Sequence, residues 1–260
     1  MRTVRWGLVV VAALACLPAV SHAQLSGKMQ WAGAGSSFGG TFKKSDGTTR
    51  TVLAGAPYRA NLWIYPPTGG AYLPPHGTTA FGPTVDIFCI DYLHNAKTGS
   101  SGYSAYYTKL DGTMPLTKTR SVSIDKYLKA AWLSAKMDAL TFTTADKATR
   151  LDIHAAIWNV MAGEPVSVLH GSVYETTGIN YWLGQANSNY TTVNGAEWTV
   201  ITDTCVEAAG HAGSGSLISD ACSQEFLVHN VVPEPATILL LGTGLLGMVA
   251  LSGALRRSAA

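Results

Sequence analysis

The sequence predicts an α+β protein: a β-rich barrel or sandwich framework with an inserted two-helix segment, followed by one C-terminal transmembrane helix. Short apolar runs bounded by glycine and proline predict the strands. Apolar residues that recur at helical spacing within about 121–162 predict the insert. An uncharged apolar run at 236–255 predicts the membrane helix. Only 13% of the residues are charged, which is typical of an exported domain with uncharged polar turns.

The first apolar segment, residues 1–23, reads as a secretory signal peptide. Arg2 and Arg5 form its basic start, and an apolar core occupies 8–17. A small-x-small pattern then predicts cleavage by signal peptidase between Ala23 and Gln24. The exported domain is therefore predicted to span 24–231. Its length of about 208 residues suits one large domain or two small ones.

The first half of the exported domain reads as strands and turns. Thr48–Leu53 and Tyr58–Tyr65 are predicted strands, and the prolines and glycines of 66–70 end the second. Val85–Tyr92 alternates moderately and predicts a half-buried strand, in which Cys89 shares a face with Val85 and Ile87.

The middle of the domain is predicted to be helical. Apolar residues between Ile124 and Ala135 recur at the spacing of an amphipathic helix. A second helix is predicted from about Thr144 to Met161, with Thr143 or Thr144 as its cap and Gly163 at its end. After Val166 the pattern returns to short strands, the clearest being Trp198–Ile201 and Phe226–His229.

Cysteine positions indicate an oxidising compartment. Cys205 and Cys222 flank a loop rich in glycine and serine, and a disulfide there would contribute about 3 kcal/mol. Spacing alone does not fix the connectivity. If these two cysteines pair, Cys89 is either a buried small hydrophobe or a reactive thiol.

The end of the chain, 232–260, has three parts in a specific order: Val232-Pro233-Glu234-Pro235, the apolar run, and Arg256-Arg257. A helix over 236–255 covers the hydrocarbon core of about 30 Å, and the two arginines predict a cytoplasmic C-terminus. This arrangement resembles the PEP-CTERM sorting signal of exported Gram-negative proteins. The resemblance implies recognition by exosortase, a membrane-bound cysteine protease that cuts near the motif. It also implies an inner-membrane stage, stable or transient, and a mature domain that is periplasmic, on the cell surface or extracellular.

Removing both targeting segments changes the charge balance. Four arginines and Glu234 belong to those segments, which leaves 14 basic and 15 acidic residues and a formal charge of −1. No basic patch remains to favour nucleic acid as a partner. The histidines lack the pair spacing of a zinc site, and no phosphate-binding loop is present in the sequence. We therefore expect no metal and no cofactor.

Two short motifs carry a second resemblance. Phe88-Cys89-Ile90-Asp91 and the later Ile153–Trp158 resemble the thioester domain of bacterial surface adhesins. In that family a cysteine and a glutamine form an internal thioester that surface amines attack. His154 stands at the glutamine position, and imidazole has no acyl carbon, so this bond cannot form with residue 154. The amides of Asn159 and Gln185 remain alternatives.

These observations predict a non-enzymatic, adhesin-like surface or biofilm component of the cell envelope or extracellular matrix. Its expected partner is an extracellular polysaccharide or another surface ligand. The first alternative is a thiol enzyme with Cys89 as nucleophile and His154 as base, its ring oriented by Asp91 or Asp152. The second is a carbohydrate-binding module with an aromatic surface formed by Trp63, Tyr65, Tyr72, Tyr103, Tyr106 and Tyr107.

Overall fold

A computed structural model describes residues 25–35, 37–65, 84–99, 102–163, 165–213 and 221–229. The predicted signal peptide (1–23), the break at 66–70, the sorting segment (232–260) and its helix at 236–255 lie outside these ranges. Within them, none of the helices is both long and apolar enough to span a membrane.

The described residues form a β-rich α+β fold, as the sequence predicted. Its elements are β1 (Leu25–Gly33), β2 (Phe38–Lys44), β3 (Thr49–Ala54), β4 (Tyr58–Tyr65), β5 (Thr84–Cys89), β6 (Tyr103–Lys109), α1 (Ile124–Asp138), α2 (Lys147–Ala162), β7 (Val166–His170), β8 (Val173–Glu175), α3 (Thr177–Asn189), β9 (Trp198–Asp203), α4 (Cys205–Ala208) and β10 (Phe226–His229).

Six antiparallel strands close into a barrel in the order β1-β4-β5-β10-β9-β6, with β6 pairing back to β1. Tyr107 of β6 is completely buried, and its hydroxyl donates to the Lys28 carbonyl at 2.6 Å. A side chain at Gly27 would collide with the Trp63 carbonyl oxygen and the Tyr107 ring. Glycine at this position therefore makes room for the tyrosine.

The remaining strands form a four-stranded sheet, β3-β2-β7-β8, against which α2 packs. Phe42 of β2 meets Trp158 of α2 edge-on, with 4.8 Å between ring centroids. Helix α2 is buried over most of its surface because it lies between this sheet and the helices α1 and α3. It ends at Gly163, whose φ of 71° is the left-handed conformation that glycine favours at a helix end.

Two predicted boundaries move in the structure. The strand predicted over 85–92 ends at Cys89, because the Asp91 carboxylate accepts the amides of Leu93 and His94 and turns the chain. The second helix begins at Lys147 instead of Thr144. The Thr141 and Thr143 hydroxyls bind the Asp146 carboxylate in a turn that precedes the helix.

Helix α3 was not predicted. Two glycines and several poor helix formers within Thr177–Asn189 hide it from a propensity argument. Its apolar residues do follow helical spacing, since Ile179, Trp182, Leu183 and Ala186 stand at i, i+3, i+4 and i+7. That spacing is the signal that would have found the helix.

The predicted disulfide between Cys205 and Cys222 is present, with 5.4 Å between the Cα atoms. It joins α4 to the segment that leads into β10. Cys89 is a free thiol and is buried.

Candidate functional site around Cys89 and His154

Three elements meet at the site: the end of β5, helix α2 and the turn between β3 and β4. Cys89 is the last residue of β5, His154 lies in the middle of α2, and Gly55 lies in the turn. Cys89 and His154 have no exposed surface. We call these three residues the thiol pocket.

Both ring nitrogens of His154 bind the backbone. Nδ1 accepts the Gly55 amide at 2.9 Å, so the ring hydrogen is on Nε2, which donates to the Cys89 carbonyl at 3.0 Å. Burial lowers the pKa of His154 to about 4. The imidazole is therefore neutral at pH 7 and connects α2 to the β3–β4 turn and to the end of β5.

The backbone amide and the backbone carbonyl of Gly55 both bind side chains on one face of α2. Its amide binds His154, and its carbonyl accepts from Nε of Arg150, one helical turn earlier. Its φ of 72° is left-handed, and a Cβ would come within 3.3 Å of Arg150 and Leu151. A side chain at this position would therefore strain the backbone and crowd α2, and glycine avoids both.

The Cys89 thiol donates to the Asp91 carbonyl at 3.3 Å. Burial, with the nearby Asp91 charge, raises the pKa of Cys89 to about 12. Since the thiolate is the nucleophile, the thiol is held in its unreactive form. His154 cannot accept the thiol proton, because its one lone-pair nitrogen already binds the Gly55 amide.

The structure brings residue 154 to the backbone of Cys89 but does not assemble the other residues proposed with them. Asp91 does not orient the His154 ring, and Asp152 instead binds Nε2 of His170 at 2.8 Å. The side-chain oxygen of Asn159 accepts the Val166 amide at 2.7 Å. Gln185 lies on α3, a different helix from the one that covers Cys89.

A second buried group of polar residues lies just beyond Ile90. Asp91 binds Nδ1 of His94 at 2.6 Å and pairs with Nε of Arg120 at 3.1 Å. The Arg120 guanidinium also donates to the Ser223 carbonyl, and the backbone amide of Arg120 donates to the Glu225 carboxylate at 2.9 Å. We call Asp91, His94, Arg120 and Glu225 the ion cluster.

Glu225 completes the ion cluster from the segment that the disulfide anchors. Its carboxylate accepts from the Tyr127 hydroxyl at 2.8 Å and from Thr202 at 2.6 Å. Burial raises the pKa of Glu225. The sequence offered little sign of this cluster, because Arg120 and Glu225 are far from Asp91 and His94 in the chain and the four residues follow no motif spacing.

Where the structure describes the predicted aromatic surface, its residues Trp63, Tyr103, Tyr106 and Tyr107 are buried or half-buried. Tyr107 is inside the barrel, the Tyr103 hydroxyl contacts the Met29 sulfur, and the Tyr106 hydroxyl binds Glu207. Lysine ammonium groups lie 5.6 Å from the centroids of the Tyr103 and Tyr106 rings. Tyr72 and the side chain of Tyr65 lie outside the described part of the structure.

Among the residues that the structure describes, no group of three or more histidine, cysteine or acidic side chains is arranged to hold a metal ion. In the thiol pocket and the ion cluster, the buried titratable groups bind one another, hydroxyl groups or the backbone.

Comparison with known proteins identifies one region of the chain. Residues 231–257 match the PEP-CTERM protein-sorting motif. No curated protein and no solved structure matches the chain. The sorting motif indicates an exported protein that exosortase recognises through its C-terminal segment.

Proposed function

We propose that the mature domain is a non-enzymatic, adhesin-like component of the cell envelope or of a biofilm matrix. The thiol pocket is the observation that supports this proposal most directly. Its cysteine and histidine are neutral and buried, and their polar atoms bind the backbone. A framework built this way presents a stable surface and needs no reactive group.

The route to that surface is the second part of the proposal. Signal peptidase cuts after Ala23, the segment 236–255 holds the protein in the inner membrane, and exosortase acts near Val232–Pro235. The match of 231–257 to the sorting motif supports the last step. The Cys205–Cys222 disulfide is consistent with an oxidising compartment outside the cytoplasm.

The resemblance to thioester domains gives the third part: a domain of that type that binds without a covalent bond. The contact between His154 and the Cys89 carbonyl supports it, because it brings the residue at the glutamine position of the motif next to the cysteine. Restoring that residue tests the idea. We expect His154→Gln to lose one ammonia in its intact mass, and the loss to be absent when Cys89→Ala is added. An unchanged mass in a folded His154→Gln variant would contradict the resemblance.

The function itself is tested in the producing cells with the full chain. We expect the protein in the surface or matrix fraction and weaker cell adherence when it is deleted. Replacing Pro233 and Glu234 with alanine should keep it in the inner-membrane fraction, whereas Cys89→Ala should leave sorting and adherence unchanged. Loss of a measurable turnover in a folded Cys89→Ala variant would instead support the thiol enzyme.

A further inference from the structure

A groove of about 530 Å³ opens beside the β3–β4 turn, near the end of α1 and the first turn of α2. Arg59 and Asp86 of the barrel line one part of it, and Leu140, Phe142 and Arg150 line another. Its volume is within the range of about 300–1,000 Å³ that small-molecule sites occupy. The thiol pocket does not open into it, since neither Cys89 nor His154 lines the groove.

Arg150 gives this groove a fixed hydrogen-bond donor. Only 2% of the residue is exposed, and two bonds lock the guanidinium: Nε to the Gly55 carbonyl and Nη1 to the Leu140 carbonyl at 2.6 Å. Nη2 makes no hydrogen bond within the described part of the chain. A guanidinium held in this way presents its remaining N–H groups in one direction without further loss of side-chain freedom.

The charges that line the groove balance. Arg59 and Arg150 supply two positive groups, and Asp86 and Asp138 supply two negative ones. A net-neutral lining with both donors and acceptors does not select an ion. It suits a neutral molecule whose polar groups both donate and accept, which is the property of a hydroxyl group.

One wall of the groove is aromatic and open to solvent. Phe142 is 42% exposed, and it stacks on Phe38 with ring centroids 4.1 Å apart and an interplanar angle of 11°. The Arg150 guanidinium lies 5.3 Å from the Phe142 ring centroid, and Lys147 lies 5.9 Å from that of Phe38. These contacts hold an aromatic surface in place beside the fixed donor.

We propose that this groove binds a sugar residue of a neutral extracellular polysaccharide. The apolar C–H groups of a sugar ring pack against the part of Phe142 that Phe38 and Arg150 leave exposed, while the sugar hydroxyls accept from Arg150 and donate to Asp86 or Asp138. The inference deepens the proposed function and rests on it, because it names the class of surface ligand. The site differs from the aromatic surface that the sequence predicted, since neither Phe142 nor Arg150 was among the residues of that surface.

Saturation-transfer NMR tests the proposal with the full chain in a detergent that carries no sugar head group. The probes are the methyl glycosides of glucose, galactose, mannose, rhamnose and N-acetylglucosamine, with glucuronate as an anionic comparison. We expect saturation of ring protons for at least one neutral glycoside, with at least a fivefold weaker affinity in Phe142→Ala. Tyr181→Ala is the matched control, because Tyr181 is an aromatic residue that is 59% exposed on α3.

Arg59→Ala provides a second variant that removes an exposed groove residue without touching the core. We expect it to weaken binding as Phe142→Ala does. No transfer to any neutral glycoside, equal binding in Phe142→Ala, or binding of glucuronate alone would each overturn the inference. If binding fails while surface localisation and adherence persist, the proposed function stands without this site. If binding is present but the protein never reaches the surface, the proposed function fails and the groove does not.

Discussion

The thiol pocket includes Cys89 and the ion cluster includes Asp91, the residues on either side of Ile90 in the sequence. The two groups bury polar side chains in different ways. In the thiol pocket, His154 and Cys89 are neutral, and their partners are backbone amides and carbonyls. In the ion cluster, Asp91 and Arg120 are charged side chains that bind each other and further side chains. Cys89 therefore belongs to a group of neutral residues, whereas Asp91, two positions later, belongs to a group of ion-paired residues.

The difference shows what a pair of chemically suggestive residues can mean. Cysteine and histidine brought together suggest catalysis. Burial, however, raises the pKa of Cys89 and lowers the pKa of His154, so both side chains stay neutral. With their polar atoms bound to the backbone, they join α2 to the barrel. The ion cluster matches no motif, yet it joins the end of β5, the segment before α1 and the disulfide-anchored segment before β10.

The largest expected effect comes from breaking the ion cluster. Arg120→Met leaves the buried Asp91 carboxylate without its cationic partner, and we expect the free energy of unfolding to fall by about 3–5 kcal/mol. Urea denaturation measures it, with exposed Arg59→Ala as a control that should change stability by less than about 0.5 kcal/mol. A loss below about 1 kcal/mol for Arg120→Met would show that the pair does not support the fold.

The disulfide should come next, because it anchors the segment that carries Ser223 and Glu225. We expect replacement of both Cys205 and Cys222 by serine to lower the free energy of unfolding by about 3 kcal/mol. Denaturation with and without reductant measures the same effect in the unaltered chain. If the reduced protein is as stable as the oxidised one, the disulfide does not restrain the ion cluster.

The thiol pocket should make stability depend on pH. The folded pKa of His154, about 4, lies below the unfolded value of about 6.5, so the unfolded chain binds more protons between them. The neutral His154 side chain therefore contributes about 3 kcal/mol to the free energy of unfolding above pH 6.5, and this contribution is lost as the pH falls toward 4.

The burial of Glu225 raises the pKa of that carboxyl and acts in the opposite direction, lowering stability as the pH rises above its unfolded pKa. Comparison of Cys89→Ala with the double variant Cys89→Ala, His154→Gln isolates the histidine effect, because no bond can then form between residues 89 and 154. The difference between the two stability curves should grow from pH 4 to 6.5. A difference that stays constant over this window would mean that His154 is not buried as a neutral imidazole.

The smallest expected effect concerns the chemistry of Cys89. Substitution by serine keeps a hydroxyl donor for the Asp91 carbonyl, and we expect a loss of about 1–2 kcal/mol from the changed packing. Thermal unfolding measures it. A stability change several times larger would show that Cys89 contributes more than a buried thiol of its size.

The sequence predicted the framework where local patterns were strong. Tyr58–Tyr65 is a strand as expected, the stripe from Ile124 forms α1, and Gly163 ends α2. The Cys205–Cys222 pairing is also confirmed. Export through a PEP-CTERM signal is supported by the motif match at 231–257.

Other features depend on contacts between distant parts of the chain. Closure of the barrel requires β10 to pair with both β5 and β9, which no local pattern announces. The partners of His154 come from a turn 99 residues earlier and from a carbonyl 65 residues earlier. The resemblance to thioester domains predicted that residue 154 would lie beside Cys89, but only the hydrogen bonds show that both ring nitrogens of His154 are already occupied.

The central claim is that Cys89 is a neutral, free and buried thiol held beside a structural histidine. Intact-mass measurement of the processed chain, before and after maleimide treatment without reductant, tests it most directly. We expect a mass two hydrogens below the sequence value, no label on the native protein, and one label after unfolding. Rapid labelling of the native protein, or a mass lower by one further ammonia, would contradict the claim.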